Sequence, residues 1–148
     1  MYNRNEHAKI KQEFWTSFGR YMMLVQSAGI EKVNWVNYKT GIKGIFFKMD
    51  VGISEAVIAI EFSGDDFGRK TNYEKFLNDR SLFETVVPGN WEWIAQYQCV
   101  NGKWISIIKS TLTGVNITDK KDWPDIISFL KSRIIGVDNY WTGVKDYY

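Results

Sequence analysis

Apolar residues recur at three- and four-residue spacing near the start of the chain: Ile10, Phe14, Phe18, Tyr21, Met22 and Val25. That spacing makes one stripe and predicts a helix from about Asn5 to Ser27, with Gly29 suited to a left-handed cap. Asn34–Gly41 carries no clear period and reads as a short strand or an ordered loop. Two alternating runs follow, Ile42–Asp50 and Glu55–Ser63, and predict a hairpin. Placing Asp50 opposite Glu55 gathers Ile45, Phe47, Met49, Ala56, Ile58, Ile60 and Phe62 on a nearly pure apolar face, the expected core face. Gly44, Phe46, Lys48, Asp50, Val57, Ala59 and Glu61 share the other, half-polar face.

Gly64–Gly68 has loop composition. A second helix is expected from about Thr71 to Val86, with Tyr73, Phe76, Leu77, Phe83 and Val86 inward and Pro88-Gly89 as its stop. Trp91–Val100 and Lys103–Ser110 then flank Asn101-Gly102, a pair suited to a two-residue type I′ turn because both residues tolerate positive φ. That turn sets Cys99 opposite Trp104, Tyr97 opposite Ser106 and Ala95 opposite Ile108. Trp93, Tyr97, Cys99, Trp104 and Ile108 would share one face. Ile94, Gln96, Gln98, Lys103, Ile105, Ile107 and Lys109 would share the other. After a loop over Thr111–Lys121, Asp122, Pro124 and Asp125 open a last helix as cap, first-turn proline and dipole partner. Ile126, Leu130, Ile134, Val137, Trp141 and Val144 mark its apolar face, with Gly136 a tolerated interruption.

The order is α-ββ-α-ββ-α. It predicts an α+β fold: one domain over residues 1–148, with a four-stranded, mainly antiparallel sheet and helices packed on one face. The two helix–hairpin units hint at a pseudo-repeat, but their sequences do not align.

Composition narrows the function classes. Of 148 residues, 16% are aromatic, with seven Trp, eight Tyr and nine Phe, which excludes a disordered chain. The net charge of +2 and pI of 8.6 fall short of a dedicated nucleic-acid binder, whose domain pI usually exceeds about 9. One cysteine, Cys99, excludes an internal disulfide framework and a multi-cysteine zinc site. No stretch is long and apolar enough for a membrane span, and the polar start Met1–Glu6 is unlike a signal peptide. A reducing, cytoplasmic setting is therefore expected.

Candidate chemistry is sparse. The one histidine, His7, lies at the frayed start of the first helix, so no Cys–His or Ser–His–Asp arrangement is expected. Cys99, expected between Trp104 and Tyr97, reads as a strand residue with an unactivated thiol. Asp50 and Glu61 suggest the acidic pair of restriction-type nucleases, yet Glu61-Phe62-Ser63 lacks the lysine that normally follows. In the expected register the two acids lie six strand positions apart, roughly 20 Å. Asp65-Asp66 reads as a solvated turn pair, and the glycines of Gly64–Gly68 match no phosphate loop. No motif calls for a cofactor or a metal.

What remains is a surface. Phe46, Lys48, Glu61, Gln96, Gln98, Lys103 and Lys109 fall on the less apolar hairpin faces. Aromatic and basic groups there could stack on and neutralise single-stranded nucleic acid; the plain alternative is a half-solvated antiparallel face. Arg133 breaks the apolar run of the last helix close to Lys131, and with Trp35 and Tyr38 it joins the candidate binding surface. Among the aromatics, Trp15, Trp35, Tyr38, Phe46, Trp91, Trp123, Tyr147 and Tyr148 escape the expected core.

Several stretches carry a resemblance. They are Gln12-Glu13-Phe14-Trp15-Thr16-Ser17-Phe18, Asn34-Trp35-Val36-Asn37-Tyr38-Lys39-Thr40-Gly41, Lys48-Met49-Asp50 and Ile58-Ala59-Ile60-Glu61. Leu112-Thr113-Gly114-Val115 and Asp122-Trp123-Pro124, leading to Phe129 and Arg133, complete the set. Together they resemble a bacterial family known as domain of unknown function 4268, over nearly the whole chain, and look closest to its small stand-alone members from Bacteroidetes. In other members a similar domain is joined to nuclease-like or restriction-type segments, which this chain lacks. The family brings no established catalytic residues. The missing catalytic constellation and the half-polar sheet face point to a non-catalytic binding or interaction domain, and the resemblance adds a link to nucleic-acid transactions or defence. Two alternatives stay open: a degenerate metal-dependent nuclease relative using Asp50 and Glu61, and a homodimerisation or partner-docking module. Nucleic acid and a second copy are the partners to test; a membrane is not expected.

Overall fold

The computed structural model describes residues 3–29 and 32–148. Met1 and Tyr2, part of the polar start, lie outside the described residues. The expected architecture is present: an α+β fold in the order α-ββ-α-ββ-α, with the second helical segment broken in two. The sheet is wholly antiparallel, in strand order β1-β2-β4-β3, formed by β1 (Ile45–Val51), β2 (Glu55–Phe62), β3 (Glu92–Gln98) and β4 (Trp104–Thr113).

Helix α1 (Arg4–Met22) starts with a capping box between Asn3 and Glu6. It buries Phe14, Phe18 and Met22 but stops five residues before the expected Ser27. Gly29 is not the left-handed cap; Met23 ends the helix in a right-handed conformation. The reason is tertiary. The buried Asp138 carboxylate accepts from the Ser27 hydroxyl at 2.9 Å and the Ala28 N–H at 2.8 Å, and the Trp35 indole donates to the Val25 carbonyl. Those bonds draw the chain off the helix axis. Tyr21, expected inward, is 61% exposed. Asn34–Gly41 is an ordered loop, not a strand; Asn34 Oδ1 folds it by accepting from the Val36 and Asn37 N–H groups.

The β1–β2 hairpin pairs Asp50 with Val57, two positions from the expected register. An even slip preserves which side chains face in. Ile45, Phe47, Ala56, Ile58, Ile60 and Phe62 are therefore buried as expected. The second helix starts early, at Asp66, because the Asp65 side chain caps it by accepting from the Gly68 N–H. It then breaks at Asp79 (φ −102°, ψ 15°), giving α2 (Asp66–Asn78) and α3 (Arg80–Val86). The break rotates the second half, so Val86 is exposed while Val87 is buried; Leu77, in α2 and expected inward, is exposed as well.

The β3–β4 hairpin departs most. All positive-φ residues described are glycines, so Asn101 does not adopt the type I′ conformation, whereas Gly102 does turn left-handed at φ +86°. Val100-Asn101-Gly102 forms a three-residue loop, closed by Cys99 N–H to Lys103 C=O at 2.7 Å. The register moves by one residue: Tyr97 now opposes Ile105. A β-bulge at Ala95-Gln96, opposite Ser106, moves it by one more, so Trp93 opposes Ile108. Each slip reverses the facing. Trp93 passes both and keeps its core orientation; Tyr97 and Cys99 pass only one and turn outward. Trp104 keeps core parity but lies beyond the helices, 52% exposed. The buried Arg69 of α2 holds the bulge, donating to the Ala95 carbonyl at 3.1 Å and the Ser106 hydroxyl at 3.0 Å.

Helix α4 (Trp123–Val144) lies across the core face and buries Ile126, Leu130, Ile134, Val137 and Trp141. Asp122 does not cap it; its carboxylate accepts from the Asn116 N–H. Gly136 is more than tolerated: a Cβ there would meet Pro88 Cδ at 2.7 Å, so α4 approaches the end of α3 through it. Aromatic rings fill the centre. Phe76 lies 5.0 Å from Phe62, 5.4 Å from Tyr140 and 5.6 Å from Tyr148. Trp35 and Trp91 belong to this core, contrary to their expected exposure.

Candidate functional site

All four helices sit on the core face, leaving the other sheet face uncovered by any helix. Side chains there follow from register. One row runs Phe46, Glu61, Ile107, Ile94 across β1, β2, β4 and β3. The next runs Lys48, Ala59, Lys109, Glu92. Tyr97 pairs with Ile105 on the same face, and Lys103 continues that parity at the turn. Ala59, Ile105 and Ile107 form a small buried apolar floor, edged by Ile94 and Cys99.

Two aromatic rings flank this floor, Phe46 at 46% and Tyr97 at 37% exposure. Each carries an ammonium group: Lys48 Nζ lies 5.4 Å from the Phe46 ring centre and Lys109 Nζ 5.6 Å from that of Tyr97. The ring quadrupole attracts a cation at such distances. Lys48 is also paired with Glu61 at 3.1 Å. The arrangement offers ring faces and positive charge on an apolar base.

The structure thus brings Phe46, Lys48, Glu61 and Lys109 together, with Lys103 at the rim. Tyr97 is the member that sequence reasoning missed, because Asn101-Gly102 predicts a two-residue turn and the three-residue turn that forms shifts the register by one and turns Tyr97 outward. Gln96 sits in the bulge, and Gln98 donates to the Gly102 carbonyl across the turn. Three other candidates lie on the helical side. Trp35 is a core residue. Tyr38 donates to Asp138, and burial first, then that bond, raises its phenol above the ordinary value. Tyr38, Ser27 and Ala28 together hang the loop after α1 on α4. Arg133 reaches the core-facing Ser110 hydroxyl at 3.0 Å and stacks on Phe129 at 4.0 Å. Its guanidinium packs against Gly89, and burial pushes its pKa down.

Asp50 and Glu61 do not meet. Four strand positions separate them, about 13 Å. Asp50 accepts from the Val51 N–H and lies 3.6 Å from Lys11, while Glu61 is held by Lys48. Among the described residues, no group of three or more His, Cys, Asp or Glu is placed to hold a metal ion, and no helix is long and apolar enough to cross a membrane.

No curated protein and no solved structure matches the chain. The family model described as "Domain of unknown function (DUF4268)" matches residues 10–147, which include every strand and the outer face they form. The resemblance carried by Asn34–Gly41, Asp122–Pro124 and the other stretches is thereby shown, and the chain belongs to the DUF4268 family.

Proposed function

We propose that this domain is a non-catalytic binder of single-stranded nucleic acid, and that the uncovered sheet face is its platform. The observation that carries the reading is the pair of lysine-topped rings, Phe46 with Lys48 and Tyr97 with Lys109, around the Ala59–Ile105–Ile107 floor. Every base has a π-face, so an exposed ring stacks on it without sequence preference, and neighbouring ammonium groups take the phosphates. The two rings stand on strands three spacings apart, about 14 Å, a span for a short run of nucleotides. Duplex bases are already stacked and paired, so a single strand suits this face better.

Fluorescence polarisation with a short labelled oligothymidylate tests it. The single strand should bind at low salt and be released as salt rises. Phe46→Ala and Tyr97→Ala should each weaken binding by about 1–3 kcal/mol. Lys109→Gln should lower the salt slope by about 0.7. Absence of binding at low salt, or binding that ignores these substitutions, refutes the proposal.

A further inference from the structure

A second feature lies on the helical side, independent of the sheet face. α1 and the start of α4 flank an open groove of about 480 Å³, continuous through Ser17, Lys120 and Trp123 with a further shallow depression of about 450 Å³. Each is the size of a small-molecule site, typically about 300–1,000 Å³. Lys9, Arg20, Lys120 and Lys131 line the two, against one acid, Glu13. Glu13 is already engaged by Lys120 at 3.5 Å. Lys9, Arg20 and Lys131 make no ion pair among the described residues, so the groove holds unneutralised positive charge.

Its aromatic lining is equally specific. The Trp123 ring is fixed edge-on to Phe14 at 5.4 Å, and its indole N–H is spent on the Ile117 carbonyl at 2.8 Å. Lys120 Nζ lies over the ring, 5.4 Å from its centre, so Trp123 offers a lysine-topped ring and no donor. Tyr21, from the facing helix, is the residue whose exposure breaks the helical burial pattern. We infer that this groove binds a nucleotide unit: a planar base stacked on Trp123 and Tyr21, with its phosphate held by Lys131 and Arg20. A preset ring without a free donor suits stacking, which tolerates any base, and the charge excess suits an anion.

Two sources share this chemistry, a free nucleotide and the phosphorylated end of a strand. The test uses the full chain, with the Trp123 indole cross-peak in a proton–nitrogen correlation spectrum as reporter. Adenosine monophosphate, adenosine, inorganic phosphate and a 5′-phosphorylated oligonucleotide are titrated separately. The monophosphate should shift the Trp123 indole and bind more tightly than adenosine or phosphate alone. Half-saturation of the Trp123 indole shift at a lower concentration of the free monophosphate assigns the groove to a free nucleotide; half-saturation of that same shift at a lower concentration of the oligonucleotide, measured in Phe46→Ala/Tyr97→Ala so that the sheet face does not contribute, assigns it to a strand end. Tyr21→Ser and Lys131→Glu, both at exposed or partly exposed positions that leave the core intact, should each weaken binding at least about fivefold. Phe46→Ala should leave the affinity for adenosine monophosphate unchanged, separating this site from the sheet face. An unmoved indole, phosphate binding as well as the monophosphate, or wild-type affinity in both groove variants overturns the inference.

Discussion

Replacing Tyr38 with phenylalanine isolates one bond in the anchor between the post-α1 loop and α4. The ring keeps its contacts, 5.0 Å from Phe47 and 6.2 Å from Trp35, so packing is conserved. What is lost is the phenol's hydrogen bond to the Asp138 carboxylate. A hydrogen bond to a charged group contributes about 1.5–3 kcal/mol, and Asp138 retains two donors, Ser27 and Ala28. A loss of about 2 kcal/mol follows, which at this chain length lowers Tm by about 4–8 °C. Urea denaturation should show a lower midpoint at unchanged slope, since the surface exposed on unfolding stays the same. Native-state hydrogen exchange should rise at the Ala28 amide, with little change in β2 and β4 beyond the global shift. A Tm within about 1 °C of wild type, or exchange raised evenly across the molecule, would refute the idea that Asp138 works as an anchor.

Other outcomes follow from the same geometry. Burial raises the Tyr38, Tyr140 and Tyr148 phenols above their ordinary value of 10. A raised folded-state pKa contributes stability fully below about pH 10 and loses it as pH climbs past that value, so a Tm–pH series should fall steeply there, less so in Tyr38→Phe. Gly136→Ala gains helix propensity, but its Cβ would lie 2.7 Å from Pro88 Cδ and 3.2 Å from Val87 Cα; overpacking should win by about 1–2 kcal/mol in a denaturant titration. Arg69→Met removes three hydrogen bonds, to Ala95, Ser106 and Asp66, but also the cost of burying a cation whose carboxylate partner, Asp66, is 87% exposed. Its destabilisation should stay under about 2 kcal/mol by the same titration, since Ser106 still donates to the Ala95 carbonyl.

The elements with a strong period were legible from the residues alone. The Phe14–Phe18–Met22 and Ile126–Leu130–Ile134–Trp141 stripes are buried because helical spacing leaves them no other face. The first hairpin survived a register error because the slip was even. Tyr97 was placed on the wrong face, since its facing depends on whether the turn holds two residues or three. Asn101-Gly102 suggested the wrong turn because an asparagine that tolerates positive φ does not have to adopt it. Trp35 and Tyr38 looked available only because an aperiodic loop gives no burial signal; their partners, Val25 and Asp138, lie 10 and 100 residues away. The candidate surface was accordingly half legible: its β1 and β2 members followed from alternation, while its β3 member required the structure.

The central claim is that the uncovered sheet face binds a single strand through its lysine-topped rings. The most direct measurement compares wild type with the Phe46→Ala/Tyr97→Ala double variant in a salt titration of oligothymidylate binding. The account predicts that wild type binds at low salt and that the double variant loses about 2–6 kcal/mol of affinity while remaining folded. Equal binding by the two proteins would contradict it. So would a concentration-dependent dimer that the double variant dissolves while neither protein binds the strand, because the face would then belong to a second copy of the chain.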